Sequence, residues 1–166
     1  MMYVKGGKME FREIGKEDDS AVADLVRTNL KAHGLDLPGT VYFDENLDHL
    51  SDFYLGDRSK RYYAVILDDD EIIGGIGLAE FEYFEDCAEL QKLYLQDRAK
   101  GNGIGYRLIR MIEDKARELG YKKMYLETHS NFAAAVHIYE KCGYSEIEKP
   151  SGVVHATMNR FFIKEL

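Results

Sequence analysis

Apolar residues recur along this chain with two different periods, and the switch between them divides it into two parts. From Lys8 to Ile14 the run KMEFREI alternates, with Met9, Phe11 and Glu13 on one side, which predicts a half-buried first strand. Ala21, Val22, Leu25, Val26 and Leu30 fall at helical spacing, so residues 16–34 read as a helix that Gly34 stops. A looser helical stretch over 45–55 follows a loop carrying Pro38 and Gly39. Tyr62 to Leu67 is rich in aromatic and β-branched residues; Asp68-Asp69-Asp70 and the run from Ile72 to Leu78 then predict a hairpin. A third run, Ala88 to Leu95, continues this meander after the acidic loop 82–86.

Beyond Leu95, strand and helix alternate. Ile104, Leu108, Ile109, Ile112, Ala116 and Leu119 make a stripe of period near 3.6, predicting an amphipathic helix over 104–119 that Gly120 ends. A strand is expected at 122–127, a helix at 132–141 ended by Gly143, and last strands near 144–148 and 155–163. This order describes one domain over residues 1–166, of α/β (α+β) class: a mixed, mainly antiparallel sheet of seven strands flanked by helices.

Composition narrows the function. A length of 166 residues suits one domain, and 45% hydrophobic residues with only two prolines place the chain among globular proteins. A formal net charge of -8 opposes binding to phosphate backbones, so nucleic acid is not an expected partner. It would attract cationic acceptors such as amines, although such a charge more often reflects solubility alone. Cys87 and Cys142 form no CxxC pair and read as packing residues in a reduced compartment. No run approaches the ~20 apolar residues of a membrane span, and the N-terminal residues lack a signal-like core, so a cytoplasmic protein is expected. The histidines, His33, His49, His129, His137 and His155, have no metal-ligand spacing, and no metal site is expected.

The segment LYLQDRAKGNGIGYRLI carries the first chemistry. A strand ends near Leu95 and a helix begins near Ile104, with Gly101, Gly103 and Gly105 between or just inside. Glycines let the backbone come close to a ligand, and the unpaired N–H groups of a first helical turn attract phosphate. Tyr106 stands where a GxGxxG dinucleotide fingerprint needs glycine, and the GK[ST] of a P-loop is absent. Lys100-Gly101-Asn102-Gly103-Ile104-Gly105 resembles instead the Q/R-x-x-G-x-G/A pyrophosphate motif of the GNAT superfamily of N-acetyltransferases, with Lys100 in place of Gln or Arg. The resemblance extends to the order of strands and helices and is firmest over residues 87–145. It implies the GNAT fold, with its sheet splayed in the middle, and acetyl-CoA as cosubstrate. On this resemblance Leu93, Tyr94 and Leu95 end a bulged strand that pairs with the pantetheine, and Lys100 to Gly105 with Tyr106 hold the pyrophosphate.

A second segment, YLETHSNFAAAVHIYEKCGY, resembles the strand, crossover and helix that end in the family's x-L-Y-x-K-x-G-F/Y signature, matched by Tyr139, Lys141, Gly143 and Tyr144. The resemblance implies that Tyr139 protonates the departing thiolate; a phenol with a reference pKa of ~10 is still protonated at neutral pH. Read without the resemblance, Tyr139 is an amphipathic core residue. An attacking amine must be neutral, so a base is needed. Glu127 aligns with a position where family members carry their proton acceptor, and Glu89 with another. Phe132 occupies the place of a pantetheine-binding asparagine, with Asn131 one residue before it; either contacts the cofactor. His129 lies in the crossover and reads as a loop residue. No residue recommends itself as an acyl carrier, so direct transfer to an amine in a ternary complex is expected.

The acceptor side, residues 32–54, carries Asp36, Asp44, Glu45, Asp48 and Asp52, which point to a cationic acceptor, and Tyr42, Phe43, Phe53 and Tyr54, which either line a pocket or pack helices. A small-molecule amine is the expected acceptor. A protein N-terminus or lysine is the alternative, and a non-catalytic acetyl-CoA sensor is an alternative of another class. Homodimerisation, common in the family, is an expectation of the resemblance.

Overall fold

A computed structural model of the chain describes residues 2–4, 7–154 and 157–166. Its strands are β1 (Met2–Val4), β2 (Gly7–Glu13), β3 (Tyr62–Asp68), β4 (Glu71–Glu80), β5 (Cys87–Leu95), β6 (Lys123–Thr128), β7 (Ser145–Ile147) and β8 (Arg160–Glu165). Its α-helices are α1 (Asp19–Ala32), α2 (Leu50–Leu55), α3 (Ile104–Glu118) and α4 (Ala133–Lys141). The strands form one eight-stranded sheet in the order β1-β2-β3-β4-β5-β6-β8-β7. The seven expected strands are all present, and β1 adds a short antiparallel partner to β2. Only β5 and β6 run parallel, joined by the α3 crossover.

The glycine stops act as their positions suggest. Gly34, Gly120 and Gly143 all have positive φ, and each is followed by a bond that closes a helix: Leu35 N to Leu30 O, Tyr121 N to Ala116 O, and Tyr144 N to Tyr139 O. The Asp68-Asp69-Asp70 turn also forms, with Asp69 and Asp70 at φ 47 and 68.

Two regions differ from expectation. Residues 45–55 make a 3₁₀ segment, Glu45–His49, and then the short α2, because His49 at φ -135 leaves the helical region between them. The last strand begins at Arg160, where pairing with Thr128 starts, and His155 lies outside the described residues.

Helices α3 and α4 cover one sheet face, where Leu108, Ile109, Ile112, Val136 and Tyr139 pack with Ala88, Leu90, Met124 and Phe162. On the other face α1 and α2 bury Val22, Val26, Leu30 and Tyr54 against Tyr63 and Val65. Beside them Phe81, Cys87, Tyr125, Val153 and Phe161 form a smaller cluster over β5, β6 and β8. Among the described residues no helix is long and apolar enough to cross a membrane, and no group of side chains is arranged to hold a metal ion.

Candidate active site

The sheet opens where β5 and β6 part. They pair only from Cys87 with Lys123 to Glu89 with Tyr125, although β5 continues to Leu95. The other edge of β5 carries a bulge: Gly77 pairs with Gln91 and Gly75 with Tyr94, so β5 has one residue more than β4 over this step. Lys92 absorbs the extra residue with φ 49, left-handed backbone that a lysine rarely adopts. The Tyr63 hydroxyl fixes it by donating to the Lys92 carbonyl at 3.0 Å. Glycines make room for that tyrosine, since a Cβ at Gly77 would come within 2.5 Å of its ring.

Beyond the bulge, Leu93, Tyr94 and Leu95 border a cavity of about 440 Å³ that is closed by Phe132, just before α4, and by Ala134, Ala135 and Ile138 of α4. Phe132 lies edge-on to Tyr94 at 6.2 Å and against His33 at 4.4 Å, so the end of α1 joins this wall. Lys100, Gly101, Gly103, Ile104, Gly105 and Tyr106 line its far end, whereas the Asn102 side chain does not.

Gly101 and Gly103 have φ 82 and 72, and a Cβ on either would meet nothing within 4 Å. The N–H groups of residues 101–106 donate to no other described residue. Open space, unpaired donors and the positive end of α3 fit an anionic group. An extended ligand ending in phosphate matches the whole arrangement. Gly105, which also lines the cavity, packs closely on α4, its Cβ position lying 3.3 Å from Ile138. A larger cleft of about 720 Å³ lies between α3, the end of α4 and Lys164, and Glu113 and Lys164 pair within it.

Tyr139 is 6% exposed, with its ring against Tyr144 and Phe162. Its hydroxyl makes no hydrogen bond to a described residue. It is also not sealed in, because Asp68 Oδ1 is the only fully buried side-chain atom without a partner among the described residues. Burial, with Tyr94 nearby, raises its pKa above the usual phenol range, so the hydroxyl holds its proton.

Glu89 and Glu127 meet around Tyr125. Glu89 pairs with Tyr125 across the strands, and the Tyr125 hydroxyl donates to Glu127 at 3.0 Å. Glu89 also accepts from Gln91 at 2.7 Å, and Gln91 accepts from the Tyr54 hydroxyl at 2.7 Å. Asn131 does not line the cavity; its amide donates to the His33 carbonyl at 2.9 Å and ties the crossover to α1. Two residues of the acidic stretch are engaged in structure: Arg27 binds Asp48 at 2.7 and 3.0 Å, and Asp44 caps Asn46. Sequence reasoning missed Asn29, His33, Gln91 and Lys92. Asn29 and His33 sit on a helix stop, and Gln91 and Lys92 sit on a bulge, so no local pattern marked them.

A splayed parallel pair beside a glycine-rich helix start defines a transferase of the acyl-CoA type. The profile of the acetyltransferase (GNAT) family matches residues 27–144, and the chain belongs to that family of N-acetyltransferases. It is 33% identical over 143 residues to the uncharacterized N-acetyltransferase YjgM of Escherichia coli K12, covering 85% of this chain and 84% of that protein. Spermidine N(1)-acetyltransferase of Vibrio cholerae is 31% identical over 105 residues, 63% of this chain and 60% of its own length. The fold is similar to that of PaiA N-acetyltransferase from Thermoplasma acidophilum, solved with coenzyme A, with a TM-score of 0.76 at 18% identity over 96% of this chain and 99% of that one.

Proposed function

We propose that the chain, as a single domain, transfers an acetyl group from acetyl-CoA directly to a primary amine of a small molecule, with both substrates bound together. The observation that carries this reading is the opening between β5 and β6, where Leu93 to Leu95 have no strand partner on the β6 side and Glu89 and Glu127 lie close to the point of separation. Acetyl-CoA supplies the acetyl group already activated as a thioester. The N–H groups of residues 101–106 hold its diphosphate, with Lys100 and Tyr106 at the rim and Asn102 contributing only main chain. Leu93, Tyr94 and Leu95 offer edge backbone to the pantetheine amides, as a sheet edge does for an added strand. Phe132 packs on that arm. Asn131 acts by holding the crossover against α1.

On the other side of the opening, Glu127, with Glu89 beside it, takes the proton that the ammonium must lose. Tyr139 Oη gives a proton to the departing sulfur. Cys142 is not an acyl carrier, because burial raises its thiol and favours the unreactive protonated form. The spermidine acetyltransferase relative supports a small-molecule amine as acceptor.

The test is release of CoA thiol from acetyl-CoA with a panel of amines and peptides. Turnover with small amines and intersecting initial-rate patterns are expected. Cofactor binding without turnover would instead identify a sensor, and turnover with peptides alone a protein acetyltransferase.

A further inference from the structure

The acceptor side carries a cation that the reaction above does not use. Lys92 is half-buried at the bulge, its backbone held by the Tyr63 hydroxyl. Its ammonium forms no ion pair with a described residue, and it is not among the fully buried polar atoms left without a partner. Four guanidinium groups, by contrast, are paired: Arg12 with Asp18, Arg27 with Asp48, Arg58 with Glu13 and Arg61 with Glu80. Burial lowers the Lys92 pKa, while Glu89 and Asp44 lie close enough to favour its charge. A half-buried cation kept without a paired carboxylate, on a strained backbone, needs a function to account for it.

We propose that Lys92 selects acceptors that carry a carboxylate close to the amine, so that the substrate class is amino acids and similar carboxylated amines. This rests on the N-acetyltransferase reading of the same site. Glu89 and Lys92 lie three residues apart on β5, Lys92 within the bulge between Gln91 and Tyr94, close enough for the carboxylate to favour its charge. The carboxylate meets the amine end of the acceptor, and the ammonium meets its acid end. A second ammonium in place of the acid, as in a polyamine, would face Lys92 and be repelled.

The experiment compares amino acids with their decarboxylated amines and their amides: phenylalanine with phenethylamine, and lysine with cadaverine. In the wild-type protein kcat/KM should favour the carboxylated member by about 10-fold or more, the scale of one charge-assisted hydrogen bond. Lys92→Met should collapse that ratio mainly through KM, and Lys92→Arg should retain it. Calorimetry of the same pairs with the CoA-saturated protein reads selection apart from turnover. Carboxylate-dependent binding without thiol release would remove the proposed activity and leave this assignment standing. Turnover with no preference for the carboxylated member, a preference that survives Lys92→Met, or binding of neither member would overturn it.

Discussion

Glu89 and Tyr125 face each other across the last paired step of β5 and β6, and past that pair the two strands separate. The Tyr125 hydroxyl donates to Glu127, so a carboxylate from each strand lies beside this ring at the mouth of the opening. Burial raises the Tyr125 pKa, reinforced by Glu127 and Glu89, which keeps this phenol a neutral donor between them. The same pair that ends the hydrogen-bonded ladder therefore also sets the position of the candidate bases.

Substituting those bases separates their roles. Glu127→Gln should lower turnover by roughly 10²-fold at pH values where the amine is mostly protonated, and recover in part as pH rises and the amine loses its proton unaided. Glu89→Gln should cost less, because its partner Gln91 is already held by Tyr54. The check is a pH–rate profile for each variant with one acceptor. A reversed ranking would give the base role to Glu89, and two small equal effects would give it to water.

The glycine loop makes a cleaner prediction, since its geometry leaves little else for Gly103 to do. Gly103→Glu places a side chain and a negative charge in the space in front of the α3 N-terminus. Binding of acetyl-CoA should fall below detection by calorimetry. The left-handed backbone at φ 72 should cost only about 1 kcal/mol of stability, so the variant remains folded. Unchanged affinity would remove the diphosphate from this loop.

Glu113 tests the scaffold apart from the chemistry. It is 4% exposed on α3, accepting from the Tyr144 hydroxyl and from Lys164, each at 3.0 Å. Glu113→Ala leaves a half-buried ammonium and a buried phenol without their acceptor, at a cost of about 3 kcal/mol. Thermal unfolding should fall by roughly 10 °C for a chain of this size, with acetyl-CoA affinity retained. A shift within a degree or two would show that water replaces the carboxylate.

How much of this was legible depended on whether the cause was local. Gly34, Gly120 and Gly143 stopped helices as expected because a left-handed residue after the last turn is a single-residue requirement. The α3 stripe and the glycine loop were readable for the same reason, one a short period and the other a short motif. The bulge at Lys92 was not, because it is a mismatch between two strands and neither records it alone. Glu113 sat unnoticed on α3 since its partner Lys164 lies 51 positions later. Asp48 appeared free for an acceptor until the fold brought Arg27 to it. Asn131 and Phe132 were both named, and only the fold shows that Phe132 lines the cavity while the Asn131 amide binds the His33 carbonyl.

Tyr139 gives the prediction on which the proposed chemistry most depends. Its hydroxyl should matter only when charge develops on sulfur, so it raises the rate without tightening cofactor binding. Tyr139→Phe keeps the ring that packs against Tyr144 and Phe162, and folding and acetyl-CoA affinity should survive while kcat falls by about 10²-fold. The pH dependence follows from the direction of the shift. Burial raises the folded-state pKa above the unfolded value of ~10, so the fold favours the protonated form, and that stabilisation is complete below pH ~10 and lost only as pH rises toward the folded value. The donor should therefore cause no loss of activity on the alkaline side up to about pH 10, and any earlier decline must come from another group. Saturating rates from pH 6 to 10, measured beside an independent dissociation constant for acetyl-CoA, decide the matter. An unchanged rate would return Tyr139 to the core, and a joint fall in rate and affinity would make it a cofactor contact instead.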